Sequence, residues 1–461
     1  MSTKISFVES LVDPHQISYQ DSDRKERSTD WGTNDADGVM PDVVVWPEST
    51  ADVAEVMSAA NDHGIPVTPY ASGTSLEGNA VPVNNGITLD MSRMDAILEI
   101  RPDDLQADIQ PSVLGDELDS AAHEYGLTIP ALPASGSIAT IGGMIANDAS
   151  GTKAVKYGEI ADWVLELEAV LPTGDIVTFG SKAAKTSAGY NLKDLMIGSE
   201  GTLGIITQAT IKLTSRPNQI SGGRAMFDDI NAATNAIIDA VQSGVDVAKI
   251  ELIDAFSAEV SNEYLDTTLP NIPMVFVEFH ANHNIEDEVE ICRDIFEKHN
   301  VREFEVSEAD EGMDELWEAR SELANAFEPY DPELSPLTPG DITVPISNYS
   351  EIVSYAKHLG DEYGLPVATF GHAGDGNVHY IILVDPDDHD SIAAGETISK
   401  RLVERTIELN GTSTGEHGVG TGKREYLLTE HEPATLDAMR SIKNALDPNN
   451  ILNPDKIFFD N

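Results

Sequence analysis

A single cysteine, Cys292, among 461 residues excludes an intrachain disulfide and fits a reducing compartment. Positive charge is nearly as scarce: 28 Lys and Arg stand against 80 Asp and Glu, a formal net charge of -52. A surface that acidic repels phosphate backbones and anionic headgroups, which argues against nucleic-acid partners and membrane-surface adsorption. No run of about 18 uncharged apolar residues is present, and the opening "MSTKISFVES" shows no basic-then-apolar leader. The expectation is a cytoplasmic protein, not an integral membrane one. No G-x-G-x-x-G follows a strand pattern, which sets aside a Rossmann dinucleotide site. "GTGKRE" (420–425) evokes a P-loop, but His417 stands where the first glycine belongs and Arg424 replaces the magnesium-holding Ser or Thr.

What is present is enough for two or three packed domains, since 41% of the residues are hydrophobic and the chain exceeds one ordinary core. The acids are spread along the whole length, a composition similar to that of proteins from salt-accumulating haloarchaea, where screening shortens self-repulsion to a few ångströms. Residues 1–40 read as a polar, helical or irregular lead-in. "PDVVVWPES" is a β-branched strand closed by Pro47. "STADVAEVMSAANDHGIPV" predicts a helix capped by Ser49 or Thr50, apolar at Val53, Val56, Met57 and Ala60, and stopped by Gly64. With "IPVTPYASGTS" it makes a β-α-β unit. Strands dominate from about 87 to 215, and beyond "TSRPNQ" helices such as "MDELWEARSELANAF" mix with strands such as "MVFVEFHA". The reading is an α+β protein with domains at 41–217 and 218–461.

Three stretches of the first half combine glycine with hydroxyls and backbone donors: "PYASGTSLEG" (69–78), "PASGSIATIGGMIANDASG" (133–151) and "GSEGTLGIIT" (198–207). Such loops suit a pyrophosphate and a flat ring, although each alone reads as an ordinary turn. In the second half, "GHAGDGNVH" (371–379) and "TGEHGVG" (414–420) place histidines and a glutamate in glycine-rich loops. His372, His379 and Glu416 offer three ligands to a zinc-like divalent ion with an open position, and Asp375 and Asn377 are candidates to orient the histidines. For any one of these histidines, a hydrogen-bonded structural role is the plainer alternative.

The order of these loops, followed by the closing "LDPNNILNPDKIF", resembles the vanillyl-alcohol oxidase and p-cresol methylhydroxylase superfamily. Within it the chain looks like the D-lactate, D-2-hydroxyglutarate and glycolate dehydrogenase group. The resemblance implies a two-subdomain FAD-binding domain followed by a C-terminal α+β substrate domain. It assigns Ser72, Gly73, Thr74, Ser75 and Leu76 to the FAD pyrophosphate. Pro133, Gly136, Ser137, Thr140, Gly142, Gly143, Asn147, Ser150 and Gly151 would line the isoalloxazine and diphosphate, and Glu200, Gly201 and Ile206 the adenosine half, with Asn453 completing the set. The metal goes to His372, His379 and Glu416, and proton abstraction to His417. Zinc is the first expectation for the metal, with manganese or iron as alternatives. "YASGTS" holds no histidine to tether a flavin, so the FAD is expected to be non-covalent. Lys156 stands where relatives have arginine before Tyr157 and Gly158.

In "LWEAR" (316–320) the family's W-x-x-R pattern makes Arg320 the candidate for a substrate carboxylate; the alternative is a surface pair with a glutamate one turn away. Relatives acting on dicarboxylates have a lysine before the next strand's Asp, and residues 336–345 contain none. The expected reaction is therefore oxidation of D-lactate or a similar 2-hydroxy monocarboxylate. A glycolate oxidase FAD subunit, a D-2-hydroxyglutarate dehydrogenase, an electron-shuttling subunit without catalysis and a flavin-free metal hydrolase are the alternatives. With no cysteine cluster for iron–sulfur, electrons would leave to a separate quinone, cytochrome or electron-transfer protein. The sequence does not fix the oligomeric state, and a homodimer is one assembly open to it.

Overall fold

The computed structural model describes residues 5–34, 36–265, 267–308, 317, 320 and 322–459. Strands are numbered β1 to β19 in chain order. Two compact units divide the chain: one holds the residues up to Ser150 together with Glu159–Arg216 and Glu416 onward, the other Gly151–Gly158 and Pro217–Gly415.

In the first unit, β1 (Ile17–Ser18), β2 (Val43–Val45), β3 (Val67–Tyr70) and β4 (Ile87–Asp90) form a sheet in the order β1-β2-β4-β3. β2 and β3 both run parallel to β4, as a β-α-β unit requires. The intervening helix spans Thr50–His63; the Ser49 side chain accepts from Asp52 N, and Gly64 ends it in the left-handed region. Its apolar stripe, Val53, Val56, Met57 and Ala60, is fully buried against Val43, Val45, Ile87 and Leu89. At roughly 1.5–3 kcal/mol per buried large aliphatic side chain, this stripe outweighs anything helix propensity supplies. The C-terminal segment joins the same core through Ile451 and Leu452. Its backbone runs beside β3, with Val67 N donating to Ile451 O at 2.7 Å and Asn453 N to Val67 O at 2.8 Å.

A second sheet of this unit, β5 (Ile97–Arg101), β6 (Gln106–Ile109), β8 (Val164–Val170), β9 (Ile176–Gly180) and β10 (Ile205–Lys212), is antiparallel in the order β5-β6-β10-β8-β9. The helix Ile141–Asn147 buries Ile141, Met144 and Ile145 among Ile109, Leu167 and Ile211 of this sheet. Short strands β7 (Leu127–Thr128) and β11 (Thr214–Ser215) pair beside it.

The second unit is built on an eight-stranded sheet. β12 (Gln219–Met226), β13 (Val247–Ile253), β14 (Met274–Ala281), β15 (Glu303–Glu308), β18 (Val367–His372), β19 (Asn377–Val384) and β16 (Ser335–Pro336) lie in the order β15-β12-β14-β13-β18-β19-β16, and β17 (Gly340–Thr343) also pairs with β19. Phe276, Phe370, Ile381 and Phe327 pack into its core. The helix Tyr349–Tyr363 packs on β18 and on the helix His389–Glu408. Of the helix expected over "MDELWEARSELANAF", residues 313–316, 318, 319 and 321 lie outside the described residues; Leu323–Ala326 is helical. The mixed helix and sheet architecture agrees with the α+β expectation.

Candidate active site

In the second unit, register places each site histidine opposite a carboxylate. β18 ends at His372 and β19 carries His379; the antiparallel pairing sets Phe370 opposite His379, which leaves the two imidazoles 5.1 Å apart edge to face. Across the outer neighbour of each strand, His372 pairs with Glu251 of β13 and His379 with Asp341 of β17. Directly opposed residues of antiparallel strands share a face, so ring and carboxylate must meet. Nδ1 of His372 lies 2.8 Å from Glu251 Oε1, and Nδ1 of His379 lies 3.8 Å from Asp341 Oδ1. With Nδ1–H donating to the carboxylate, Nε2 of His372 keeps its lone pair for a metal.

Glu251 and Asp341 are fully buried, and the sequence reading named neither. It looked to Asp375 and Asn377. The Asn377 amide instead donates to Asp341 Oδ1 at 2.7 Å, supporting the carboxylate and not the ring. Asp341 Oδ2 also accepts from Gly415 N at 2.7 Å and Thr414 Oγ1 at 3.2 Å. Glycine in the first histidine loop has a packing reason. Gly376 has φ +84°, and a Cβ there would sit 2.1 Å from Val344 O.

Arg320 is 6% exposed, which corrects the surface-pair alternative. Its Nε and Nη2 both lie 2.8 Å from Glu251 Oε2, and its guanidinium sits 5.1 Å from the Phe370 ring centre. A third histidine is tied up nearby in the sheet. Tyr157 Oη is 2.9 Å from His280 Nδ1, His280 Nε2 is 2.7 Å from Glu278 Oε1, and Lys249 Nζ donates to Glu278 Oε2 at 2.9 Å. Burial alone would raise the Glu278 carboxyl, but His280 and Lys249 hold it down at about 2. Burial pushes the Tyr157 hydroxyl up to about 12. Lys156 reaches His280 O and Asp246 Oδ1, each at 2.7 Å. Gly151 accepts from Ala154 N at 2.9 Å and leads into the short helix Ala154–Tyr157.

Within the first unit, the glycine loops and the "EHGVG" segment are cross-tied. Ser150 Oγ donates to Glu416 Oε2 at 2.9 Å, and the Asn147 amide donates to His417 O at 3.1 Å. The Glu200 carboxylate accepts from Val419 N and Gly420 N at 2.7 Å each and from the Asn79 amide at 2.6 Å. Asn453 donates to Asn79 O and Glu200 O at 3.1 and 2.8 Å. The carboxylate of Glu200 and the amide nitrogen of Asn453, both expected beside the cofactor, are thus committed to other loops of the same unit. Burial raises the Glu200 carboxyl. Glu77, near the end of the first loop, reaches Lys423 Nζ at 3.4 Å and lies 3.9 Å from His417 Nδ1; the sequence reading did not single it out.

The other loop residues fall into exposed and structural groups. Ser72 is exposed, its Oγ 3.4 Å from Thr74 Oγ1. The lead-in folds onto the same loop: Trp31 N donates to Gly73 O at 2.9 Å, Gly32 N to Ser75 O at 3.1 Å, and Ser75 Oγ to Asp30 at 2.8 Å. Leu76 is half-buried, and Ser137 is exposed beyond the Pro133–Gly136 turn. Thr140 caps the helix Ile141–Asn147 by accepting from Gly143 N at 3.2 Å. Gly142 donates to Pro111 O at 2.7 Å, and a Cβ there would lie 2.5 Å from Pro111, so its lack of a side chain is used inside the fold. Gly201 lies against Pro69, and Ile206 is in the core on β10.

Comparison with known proteins identifies the frame in which these residues stand. Residues 216–457 match the family described as FAD linked oxidases, C-terminal domain, and residues 41–180 match the FAD binding domain. The mitochondrial D-lactate dehydrogenase (cytochrome) of Arabidopsis thaliana is 36% identical over 419 residues, 91% of this chain and 73% of that one. The glycolate oxidase subunit GlcD of Bacillus subtilis is 35% identical over 91% of this chain and 89% of its own length. The D-lactate dehydrogenase of Archaeoglobus fulgidus is 34% identical over 90% and 91% of the two chains. The fold of p-cresol methylhydroxylase superposes with a TM-score of 0.81 at 18% identity, covering 98% of this chain and 96% of that one. Among the described residues, no helix is long and apolar enough to cross a membrane. With one family matched over more than half its length and relatives about a third identical across nine-tenths of it, the chain belongs to the FAD-linked oxidases.

Proposed function

We propose that the protein is an FAD-dependent dehydrogenase that oxidises D-lactate, or a similar 2-hydroxy monocarboxylate, to the 2-keto acid. The observation that carries this reading is the buried Arg320–Glu251–His372 arrangement, which sets a carboxylate-binding cation beside a histidine prepared for a metal. Relatives named D-lactate dehydrogenase support the substrate class. The absence of lysine from 336–345 favours a monocarboxylate.

Arg320 would pair with the substrate carboxylate through the guanidinium edge that Glu251 leaves open. His372, His379 and Glu416 would hold a divalent ion, zinc first, with His372 preset by Glu251 and Glu416 following Gly415, which Asp341 anchors. His417 would accept the hydroxyl proton at Nε2, since its Nδ1 is turned toward Glu77. When bound, the metal acts as a Lewis acid toward the hydroxyl oxygen and FAD supplies the hydride acceptor. Ser72–Leu76 and the Pro133–Gly151 stretch would cradle the flavin without a covalent link. Electrons would then pass to a separate acceptor, a quinone, cytochrome or electron-transfer protein.

A second reading, an FAD subunit of a glycolate oxidase, is favoured by the similarity to the Bacillus subtilis subunit. A flavin-free hydrolase has no support in an FAD-linked oxidase family. Anaerobic mixing with D-lactate, glycolate and D-2-hydroxyglutarate tests these readings. Flavin bleaching fastest with D-lactate is expected, and bleaching by none of the three would overturn the proposal. Acid precipitation of the same sample should leave FAD in the supernatant.

A further inference from the structure

We infer that Glu251 is a positioning residue that couples substrate-carboxylate binding to metal binding, because its two oxygens are divided between Arg320 and His372. The inference rests on the proposed dehydrogenase reading. Oε2 accepts from Nε of Arg320 at 2.8 Å, with Nη2 an ion-pair contact at the same distance but not hydrogen-bonded to it, while Oε1 lies 2.8 Å from Nδ1 of His372. The carboxylate is fully buried, so no water substitutes for either partner at comparable cost. Its position is set by the sheet, since Glu251 is the direct cross-strand partner of His372. The neighbouring surroundings add rigidity: the Arg320 guanidinium lies over Phe370, two residues before His372 on the same strand and the same face.

One carboxylate therefore fixes two things. It holds the arginine edge-on, so that the remaining guanidinium edge has a single orientation, and it holds His372 in the tautomer whose Nε2 binds metal. An amide in its place has only one acceptor oxygen. In Glu251→Gln the arginine and the histidine must compete for it, and whichever loses faces an N–H donor.

The test uses the FAD-loaded full chain and reads metal dissociation by chelator competition with zinc, and binding of oxamate, a carboxylate-bearing inhibitor of lactate chemistry, by flavin absorbance. Glu251→Gln should retain FAD and a cooperative thermal transition, bind zinc about 10- to 100-fold more weakly, and lose oxamate affinity as well. The discriminating variant is Glu251→Gln combined with Arg320→Met. With the competing donor gone, the amide oxygen is free for His372, so zinc affinity should recover toward wild type while oxamate binding stays lost. Neutralising both members of a buried ion pair together is better tolerated than removing one. Unchanged zinc and oxamate affinities in Glu251→Gln, or a double variant that binds zinc no better than the single, would overturn the inference. A wild type that binds no zinc would sink the metal reading itself and this coupling with it; that failure is visible before any variant is made.

Discussion

The carboxylate of Glu200 accepts the backbone N–H of Gly420 at 2.7 Å, across 220 residues of sequence, and does so at 6% exposure. Together with Val419 N and the Asn79 amide it is the acceptor on which three loops of the first unit converge. Glu200→Ala leaves those donors buried without an acceptor, at a cost of about 1–3 kcal/mol for each unsatisfied group. The variant should lose several kcal/mol in urea denaturation and much of its FAD. A loss of under about 1 kcal/mol would mean that water or another side chain replaces the carboxylate.

Arg320→Lys preserves a positive charge beside Glu251 but gives up the planar fork. Losing one charged hydrogen bond to the substrate, about 1.5–3 kcal/mol, corresponds to roughly a 10- to 150-fold drop in kcat/KM for D-lactate. FAD content and thermal midpoint should stay close to wild type. Steady-state kinetics near wild type would show that Arg320 serves only to neutralise Glu251.

His417 and His372 should separate by metal content. In His372→Ala, zinc analysis of the purified protein should show lost metal together with lost turnover. In His417→Gln, metal and FAD should remain while reduction of the flavin by D-lactate slows about 100- to 10,000-fold, the usual range for a missing general base. The reverse pattern, metal lost from His417→Gln and kept in His372→Ala, would exchange the two roles.

Glu278 gives a pH signature. Its folded value of about 2 lies below the ordinary 4.5, so the native state binds its proton less readily than the unfolded chain. The stabilisation, roughly 3 kcal/mol at neutral pH, is fully present above 4.5 and is lost as pH falls toward 2. Glu278→Gln should therefore be less stable than wild type at pH 7, with the gap narrowing through that window. Denaturation curves at pH 7, 4 and 3 measure it, and a gap that stays constant would place the stabilisation elsewhere.

Local signals were legible wherever one segment decides its own structure. Ser49 and Gly64 bound the helix Thr50–His63, and its apolar spacing named the residues that are buried. The order of the glycine loops pointed to the family. Glu251 was not legible, since "AKIELIDAF" reads as an ordinary strand and only the register of β13 against β18 brings it to His372. Asp341 was hidden for the same reason in "PGDITVP". Glycines read as making room for ligands proved to include ones, such as Gly142 and Gly376, that make room for the chain itself. Periodicity reports which face of an element is apolar; it is silent about which distant strand lies alongside.

The position of the last residues has a consequence for synthesis. Lys443 donates to Thr202 O and Leu452 O, Lys456 to Gly78 O and Val81 O, and Leu452 fills the core beside β3. About 200 residues are translated after Arg216 before Glu416 appears. At roughly 5–20 residues per second that is a delay of about 10–40 s. During it the amino-terminal sheets have left the ribosome while their own closing segment is unmade. The second unit, whose pieces all precede Glu416, faces no such wait. Until that closing segment is made, β3 lacks the backbone that pairs with it, so the first unit can close only after every piece of the second has been translated.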